Sequence, residues 1–161
     1  MQASCNPPDK TNQSLLTLVS VSVILALDQL TKFIINRLLL LHQSVPVIRG
    51  VFHLTLVHNR GPAFGILRNQ LPFFIIVSFI AIILIIAGLK NSGKNKFPLY
   101  KLSLNLMLAG ILGNLIDRLL FGYVIDFFDF KVWPVFNIAD SAITIGAILF
   151  GYSVLKTDMN R

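Results

Sequence analysis

Three aspartates, Asp126, Asp129 and Asp140, lie in the stretch 124–140 (VIDFFDFKVWPVFNIAD), between two long apolar segments. An ionised carboxylate costs about 2.5–3.5 kcal/mol at the centre of a membrane helix, so acids beside a bilayer are candidates for function. Two neighbouring carboxylates do not both ionise easily; one keeps a proton while the other can activate water. The stretch therefore predicts an acid–base pair that cleaves a bond at a membrane surface. The spacing leaves either Asp126 or Asp129 as the partner of Asp140.

The composition around these acids is that of a membrane protein. The chain has 161 residues, of which 55% are hydrophobic, and a mean hydropathy of +0.74. Four apolar runs are long enough to cross a hydrocarbon core of about 30 Å at about 1.5 Å per residue. They cover about residues 15–35, 72–89, 99–121 and 138–155. We therefore predict an all-α membrane protein with four transmembrane helices, forming one domain over residues 1–161.

The charged residues suggest an orientation for these spans. The formal net charge of +7 favours loops that face anionic lipid headgroups over a nucleic-acid partner. The best marker of the cytoplasmic side is the cluster Lys90, Lys94, Lys96 and Lys101. Four spans place both termini on that side and bring the connections 37–70 and 122–136 together on the other. The predicted active site lies on this second side.

Polar residues of the first and third runs are expected at the same depth. Asp28 and Lys32 are four residues apart, so they share a helix face and can pair. An ion pair that only lets a helix end tolerate its polarity is the alternative. Gly110, Asn114 and Arg118 recur every four residues, and Gly110 allows a neighbouring helix to approach closely. A purely structural polar seam would explain them as well.

The first connection carries a strand signal. Val51–Val57 (VFHLTLV) alternates and predicts a small β-sheet, a surface cradle, in the first extracytoplasmic connection. One face would hold Phe52, Leu54 and Leu56, and the other His53 and Thr55. Asn59 and Gly61 follow and are typical of a turn, although a substrate contact fits them equally well.

The fourth run has a predicted helix start. Asn137 is placed to cap the helix, with Asp140 at its third position near the positive helix end. This structural account of both residues is compatible with a functional one.

Other catalytic chemistries fit the sequence less well. A zinc-peptidase helix H-E-x-x-H is impossible because the chain has no Glu. His42, His53 and His58 lack metal-ligand spacing, so no metal and no cofactor are expected. A Ser–Lys dyad would need Lys32 beside a serine such as Ser141, with no local pattern behind it. The single cysteine excludes a disulfide framework.

Five short motifs resemble those of the bacterial lipoprotein signal peptidases, also called type II signal peptidases. They are DQLTK at 28–32, NRGPAF at 59–64, GILGNLIDR at 110–118, VIDF at 124–127 and FNIAD at 136–140. The motifs follow the family order and departures are mild, with Pro62 where Ala is commoner. Five ordered matches on a chain with four spans make a chance likeness improbable.

The resemblance implies an aspartyl endopeptidase of the bacterial inner membrane. Such enzymes remove signal peptides from prolipoproteins, cleaving just before the diacylglyceryl-modified Cys, and are the target of the antibiotic globomycin. By this likeness Asp126 and Asp140 are the catalytic dyad and Asp129 is a bystander. The supporting residues are Asn59, Gly61, Gly110, Asn114, Arg118 and Asn137 at the substrate or dyad, and Asp28 and Lys32 as structural support. The expected partners are lipidated prolipoproteins and membrane lipids, and a monomer is expected.

Two other functional classes remain as alternatives. A small transporter or proton relay also places acids and an arginine between helices, but it predicts polar groups spread through the membrane depth. A structural subunit predicts that Asp→Asn changes at Asp126 and Asp140 leave function intact.

Overall fold

Four long helices and three short strands make up the computed structural model, which describes residues 10–61, 71–91 and 98–159. In chain order they are α1 (Lys10–Leu38), β1 (Ser44–Ile48), β2 (Phe52–Asn59), α2 (Leu71–Asn91), α3 (Pro98–Phe121), β3 (Val124–Asp129) and α4 (Ile138–Met159). All four helices are long and apolar enough to cross a membrane. Each contains one of the four predicted spans, so the predicted fold class is confirmed. Pro62, Ala63 and Phe64 of the second motif, Cys5, and Lys94 and Lys96 of the lysine cluster lie outside the described residues.

The strands form one antiparallel sheet in the order β1-β2-β3, on the side where both long connections were expected to meet. The strand predicted in the first connection is confirmed as β2. The third strand, which carries Asp126 and Asp129, was not predicted, because its sequence VIDFFD lacks alternation. Five of its six residues are buried. A strand that is buried on both faces does not alternate between apolar and polar residues, so its sequence lacks the usual strand pattern.

A bulge in β2 changes which side chains share a face. Leu54 pairs with Phe128 and Val57 pairs with Asp126, so β2 has one more residue than β3 between these two pairs. Leu56 was predicted on the face of Phe52 and Leu54. The shifted register places it on the other face, and it belongs to a buried cluster with Ile35, Ile125 and Phe127, against which Leu54 also packs. This cluster joins the sheet to α1.

Helix α3 packs against each of the other three helices. Its glycines permit this: a Cβ at Gly110 would strike Ala139 O and the Ile143 side chain of α4. A Cβ at Gly113 would strike Asp28 of α1. The predicted close helix approach at Gly110 is thus confirmed, and it brings the start of α4 beside Asp28.

Candidate active site

A buried ion network joins α1 to α3. Lys32 Nζ lies 2.8 Å from Asp28 Oδ2 and 2.9 Å from Asp117 Oδ2, and all three side chains are at most 2% exposed. The predicted Asp28–Lys32 pair is confirmed. Gln29 Nε2 donates hydrogen bonds to both carboxylates, to Asp28 Oδ2 at 3.2 Å and to Asp117 Oδ1 at 3.1 Å. A buried charge is tolerated only when it is paired and hydrogen-bonded, as these groups are.

The two carboxylates of this network also hold the segments that carry the remaining aspartates. Ala139 N, in the first turn of α4, donates to Asp28 Oδ1 at 2.8 Å. Ile125 N, in β3, donates to Asp117 Oδ2 at 3.1 Å. Asp28 and Asp117 therefore satisfy backbone donors immediately beside Asp140 and Asp126, and the negative charge of Asp28 suits the positive end of α4.

Asn114 connects the ion network to Asp140. Its Oδ1 accepts a hydrogen bond of 3.0 Å from Lys32 Nζ, and its Nδ2 donates one of 2.7 Å to Asp140 Oδ1. Asn114 is buried, whereas Asp140 is half-buried at the start of α4. The amide thus holds a partly accessible carboxylate from the buried side.

Asn137 caps α4 as predicted and bridges the two candidate catalytic aspartates. Its Oδ1 accepts a hydrogen bond of 2.8 Å from Asp140 N, and its own N–H donates to Asp140 Oδ2 at 3.3 Å, which is a reciprocal capping box. Its Nδ2 donates to Asp126 Oδ1 at 2.7 Å. Backbone bonds between Phe128 and Phe136 fold the connection back onto β3, and this places Asn137 beside Asp126.

Asp126 accepts a hydrogen bond on each oxygen. Asn137 Nδ2 donates to Oδ1, and Asn59 Nδ2 donates to Oδ2 at 2.8 Å. The pKa of Asp126 is raised from 3.8 to about 7. Burial is the main cause and the charge of Asp140 adds to it, while the hydrogen bonds from Asn59 and Asn137 favour the ionised form and oppose the rise. Asp126 can therefore hold a proton at neutral pH.

Asp129 lies on the opposite face of the sheet from Asp126, because three positions separate them along a regular strand. Its Oδ2 pairs with Lys131 Nζ at 2.7 Å and accepts a bond of 2.6 Å from Thr55 Oγ1. Hydrogen bonds from Lys131 and Thr55 lower the pKa of Asp129 to about 2. The carboxylate is thus ionised and engaged away from Asp140, which favours Asp126 in the pairing that spacing left open.

Arg118 and Gly61 border the two carboxylates. The Arg118 guanidinium lies over the ring of Phe74 of α2, 5.1 Å from its centroid, and interacts electrostatically with Asp140 and Asp126. Within the described parts of the chain it forms no ion pair. Gly61 has a φ of 98° and donates its N–H to Asn59 Oδ1 at 2.9 Å. Asn59 therefore forms the predicted turn and also contacts Asp126.

Two residues outside the predicted site set hold it together. Asp117 and Gln29 belong to the third-helix and first-helix motifs, yet only Asp28 and Lys32 of this network were predicted as support. The available signal for Asp117 was its position three residues after Asn114, which places both on one side of α3.

The other candidate groups have separate roles. Ser141 Oγ donates to Asn137 O at 2.9 Å, while Lys32 contacts Asp28, Asp117 and Asn114. Lys32 and Ser141 therefore do not form the Ser–Lys dyad that was considered. His53 bonds to Ser44, and His58 stacks on Tyr123 at 4.0 Å. One polar pair lies apart from the site, between α1 and α3, where Asn105 Nδ2 donates to Ser20 Oγ at 2.9 Å.

Known proteins resemble the chain over most of its length. The family model for signal peptidase (SPase) II matches residues 20–156. The lipoprotein signal peptidase of Moorella thermoacetica is 49% identical over 133 residues, which cover 83% of this chain and 88% of that protein. That of Caldanaerobacter subterraneus subsp. tengcongensis is 45% identical over 141 residues, covering 87% and 96%.

Two solved structures of a bacterial membrane enzyme share the fold. The first, determined by the in meso method at 2.3 Å resolution, is 34% identical, covers 91% of both chains and has a TM-score of 0.81. The second, at 1.9 Å resolution, is 35% identical, covers 88% of this chain and 93% of the other, and has the same TM-score of 0.81.

Proposed function

Because this chain belongs to the signal peptidase II family, we propose that it removes signal peptides from prolipoproteins with Asp126 and Asp140 as an aspartyl dyad. The observation that carries the proposal is the position of Asn137. Through one side chain it contacts Asp126 at 2.7 Å and the start of the helix that bears Asp140 at 2.8 Å. The backbone N–H of Asn137 also donates to Asp140 Oδ2 at 3.3 Å, so one residue contacts both carboxylates, and neighbouring carboxylates are suited to share a single proton.

The shared proton allows hydrolysis without a covalent intermediate. The ionised carboxylate takes a proton from water as the water oxygen attacks the carbonyl carbon of the scissile peptide bond. The protonated carboxyl then donates its proton to the amide nitrogen as the C–N bond breaks. The first step brings the dyad to two protons and the second returns it to one, now on the other carboxyl group, and the titration of the dyad belongs to the pair. The raised pKa of Asp126, about 7, supports its carrying that proton at neutral pH.

The surrounding residues supply fixed orientation and positive charge. Asn114 and Asn137 hold carboxylate oxygens from the buried side, and Asn59 holds Asp126 from the exposed end of β2. Arg118 has no carboxylate within ion-pairing distance among the described residues, so its donors are available to the substrate carbonyl or to the oxyanion that develops on it.

The substrate proposed here is a prolipoprotein whose Cys carries a diacylglyceryl group, cut on the N-terminal side of that Cys. A lipid-anchored substrate remains in the bilayer, so its peptidase must place its dyad at the membrane surface. Asp126 and Asp140 meet such a need, because they lie where β3 adjoins the start of a membrane-spanning helix.

The family and the four spans support a proposal for the cellular setting. We place the chain in the bacterial inner membrane, with both termini and the connection between α2 and α3 in the cytoplasm and the dyad on the outer face. A monomer is sufficient, because one chain supplies every group of the network described. Globomycin, as an inhibitor of this family, should compete with the substrate for the dyad.

The decisive experiment is cleavage of a diacylglyceryl-modified prolipoprotein by the purified full chain in detergent. Asp126→Asn and Asp140→Asn should fold and release no signal peptide. Asp129→Asn is the matched control, since it removes one carboxylate of the same strand from the opposite face, and it should retain cleavage. Full activity in either of the first two variants would refute the dyad.

A further inference from the structure

The end of the sheet farthest from Asp126 is strongly apolar and exposed. Val132 is 93% exposed and Trp133 is 68% exposed in the segment that follows β3. Val47, Ile48 and Val51, around the turn between β1 and β2, are more than half exposed as well. We call these five residues the sheet tip. Exposed apolar patches of this kind mark sites that bind another protein or a membrane.

The two parts of the sheet tip adjoin each other. Ile48 pairs with Phe52 across the hairpin, and the ring of Phe52 lies 4.8 Å from that of Phe130, just before Val132. Val57, the partner of Asp126, lies toward the opposite end of β2. The sheet tip is therefore one patch, distinct from the dyad.

Asp129, which the proposed chemistry does not use, holds the segment that carries Val132 and Trp133. Lys131 has a φ of 64°, a left-handed conformation that is unfavourable for a lysine. Its N–H donates to Asp129 Oδ1 at 3.0 Å and its Nζ pairs with Asp129 Oδ2 at 2.7 Å. This clamp fixes the turn that immediately precedes Val132 and Trp133.

The bilayer is the occupant that fits this patch. Trp133 stands five residues before the first residue of α4, a membrane-spanning helix, so the sheet tip lies close along the chain to a membrane span. Tryptophan is enriched at the membrane–water interface. Arg49, exposed in the turn between β1 and β2, is placed to meet lipid phosphates.

We propose that the sheet tip is a lipid-binding edge that enters the interfacial layer of the same membrane that the four helices cross. Inserted in this way, the tip would hold the sheet against the bilayer while Asp126, at the other end of the sheet, stays beside the start of α4. A second copy of the chain, or a peptide, would be a competing occupant.

Trp133 makes the test direct, because it is the only tryptophan in the chain. The full protein is reconstituted into vesicles of phosphatidylcholine and phosphatidylglycerol, with and without bromine on the acyl chains. Bromine quenches a nearby indole, so a loss of Trp133 emission in brominated vesicles is the expected result. If brominated lipid does not reduce the emission, the proposal is overturned. Acrylamide, a quencher in the aqueous phase, then shows whether Trp133 faces water or is shielded by protein from both quenchers.

Two controls calibrate the measurement. A Trp133→Phe, Phe79→Trp chain places the indole on α2, where Phe79 is 50% exposed on a membrane span, and gives the quenching of a lipid-facing tryptophan. Val132→Asp should move the emission of Trp133 to longer wavelength and reduce its quenching by brominated lipid, whereas Val132→Leu should not. Equal behaviour of the two Val132 variants would count against insertion. None of these readouts requires turnover, so they are independent of the proposed chemistry.

Discussion

Lys32 Nζ donates a hydrogen bond of 3.0 Å to Asn114 Oδ1, and this contact fixes the direction of the Asn114 amide. Because Oδ1 must point toward the ammonium group to accept this bond, the NH₂ group of the same amide points away from Lys32. That Nδ2 faces Asp140 at 2.7 Å. One asparagine therefore couples the buried ion network to the proposed dyad, which means that the network orients the site as well as stabilising it.

Removing Lys32 should destabilise the protein severely. Lys32→Met leaves Asp28 and Asp117 buried without their cation, and breaking a buried ion pair costs about 3–5 kcal/mol. The thermal unfolding midpoint in detergent, followed by circular dichroism, should fall sharply. Lys131→Met is the matched control, because its pair with Asp129 is partly exposed and such pairs contribute about 0–1 kcal/mol. Similar midpoints for the two variants would contradict the assigned importance of the network.

The close approach of α3 and α4 predicts opposite effects for two glycine substitutions. Gly110→Ala should destabilise by about 1–3 kcal/mol, since the new methyl group meets the Ala139 carbonyl and the Ile143 side chain. Gly151→Ala, also in a helix, meets nothing within 4 Å and should stabilise by about 0.5–1 kcal/mol. Unfolding midpoints of both variants provide the measurement. A tolerated Gly110→Ala would mean that the two helices do not pack as described.

Asn59 should tune the pH dependence of cleavage. The hydrogen bond from Asn59 lowers the pKa of Asp126, which burial raises to about 7. The dyad loses its shared proton as pH rises through that pKa, so activity should fall on the alkaline side near this value. Asn59→Ala removes an interaction that favours the ionised form, so the pKa should rise and the alkaline limb of the kcat/KM profile should move to higher pH.

Asn36→Ala provides the comparison for this shift, because Asn36 is an exposed amide whose contact is with His58 rather than a carboxylate. Its alkaline limb should coincide with that of the wild type. If Asn59→Ala lowered the rate at every pH without moving the limb, Asn59 would have only a structural role.

Phe74 should act as a positioning residue for Arg118. Phe74→Leu removes the ring beneath the guanidinium, a contact of about 0.5–1 kcal/mol, so kcat/KM should fall about two- to fivefold. Phe74→Tyr keeps an aromatic face and should restore the rate. Phe73→Leu alters the neighbouring ring, which is 58% exposed, and should have little effect. Steady-state kinetics on a lipidated substrate would separate these cases, and equal losses for Phe73→Leu and Phe74→Leu would argue against this role.

Local patterns in the sequence identified the four helices and several contacts between neighbours along the chain. Hydropathy located the four spans, because a run of about 20 apolar residues matches the thickness of the hydrocarbon core. Helical spacing predicted the pairing of Asp28 with Lys32, and the preference of asparagine for a helix start predicted the cap at Asn137. These contacts join residues at most four positions apart, so their geometry follows from the helix itself.

Tertiary structure decided the contacts that assemble the site. Asn59 shares a face with Asp126 only because the bulge in β2 shifts the register by one residue, and a one-residue shift moves a side chain to the other face of a sheet. Burial of β3 on both faces removed the alternation that would have revealed the strand. Lys32 lies beside Asp117 only because Gly113 lets α3 approach α1 closely. Sequence spacing identified three candidate aspartates, but the regular path of β3 turned Asp129 away from Asp126, because odd separations along a strand point to opposite faces.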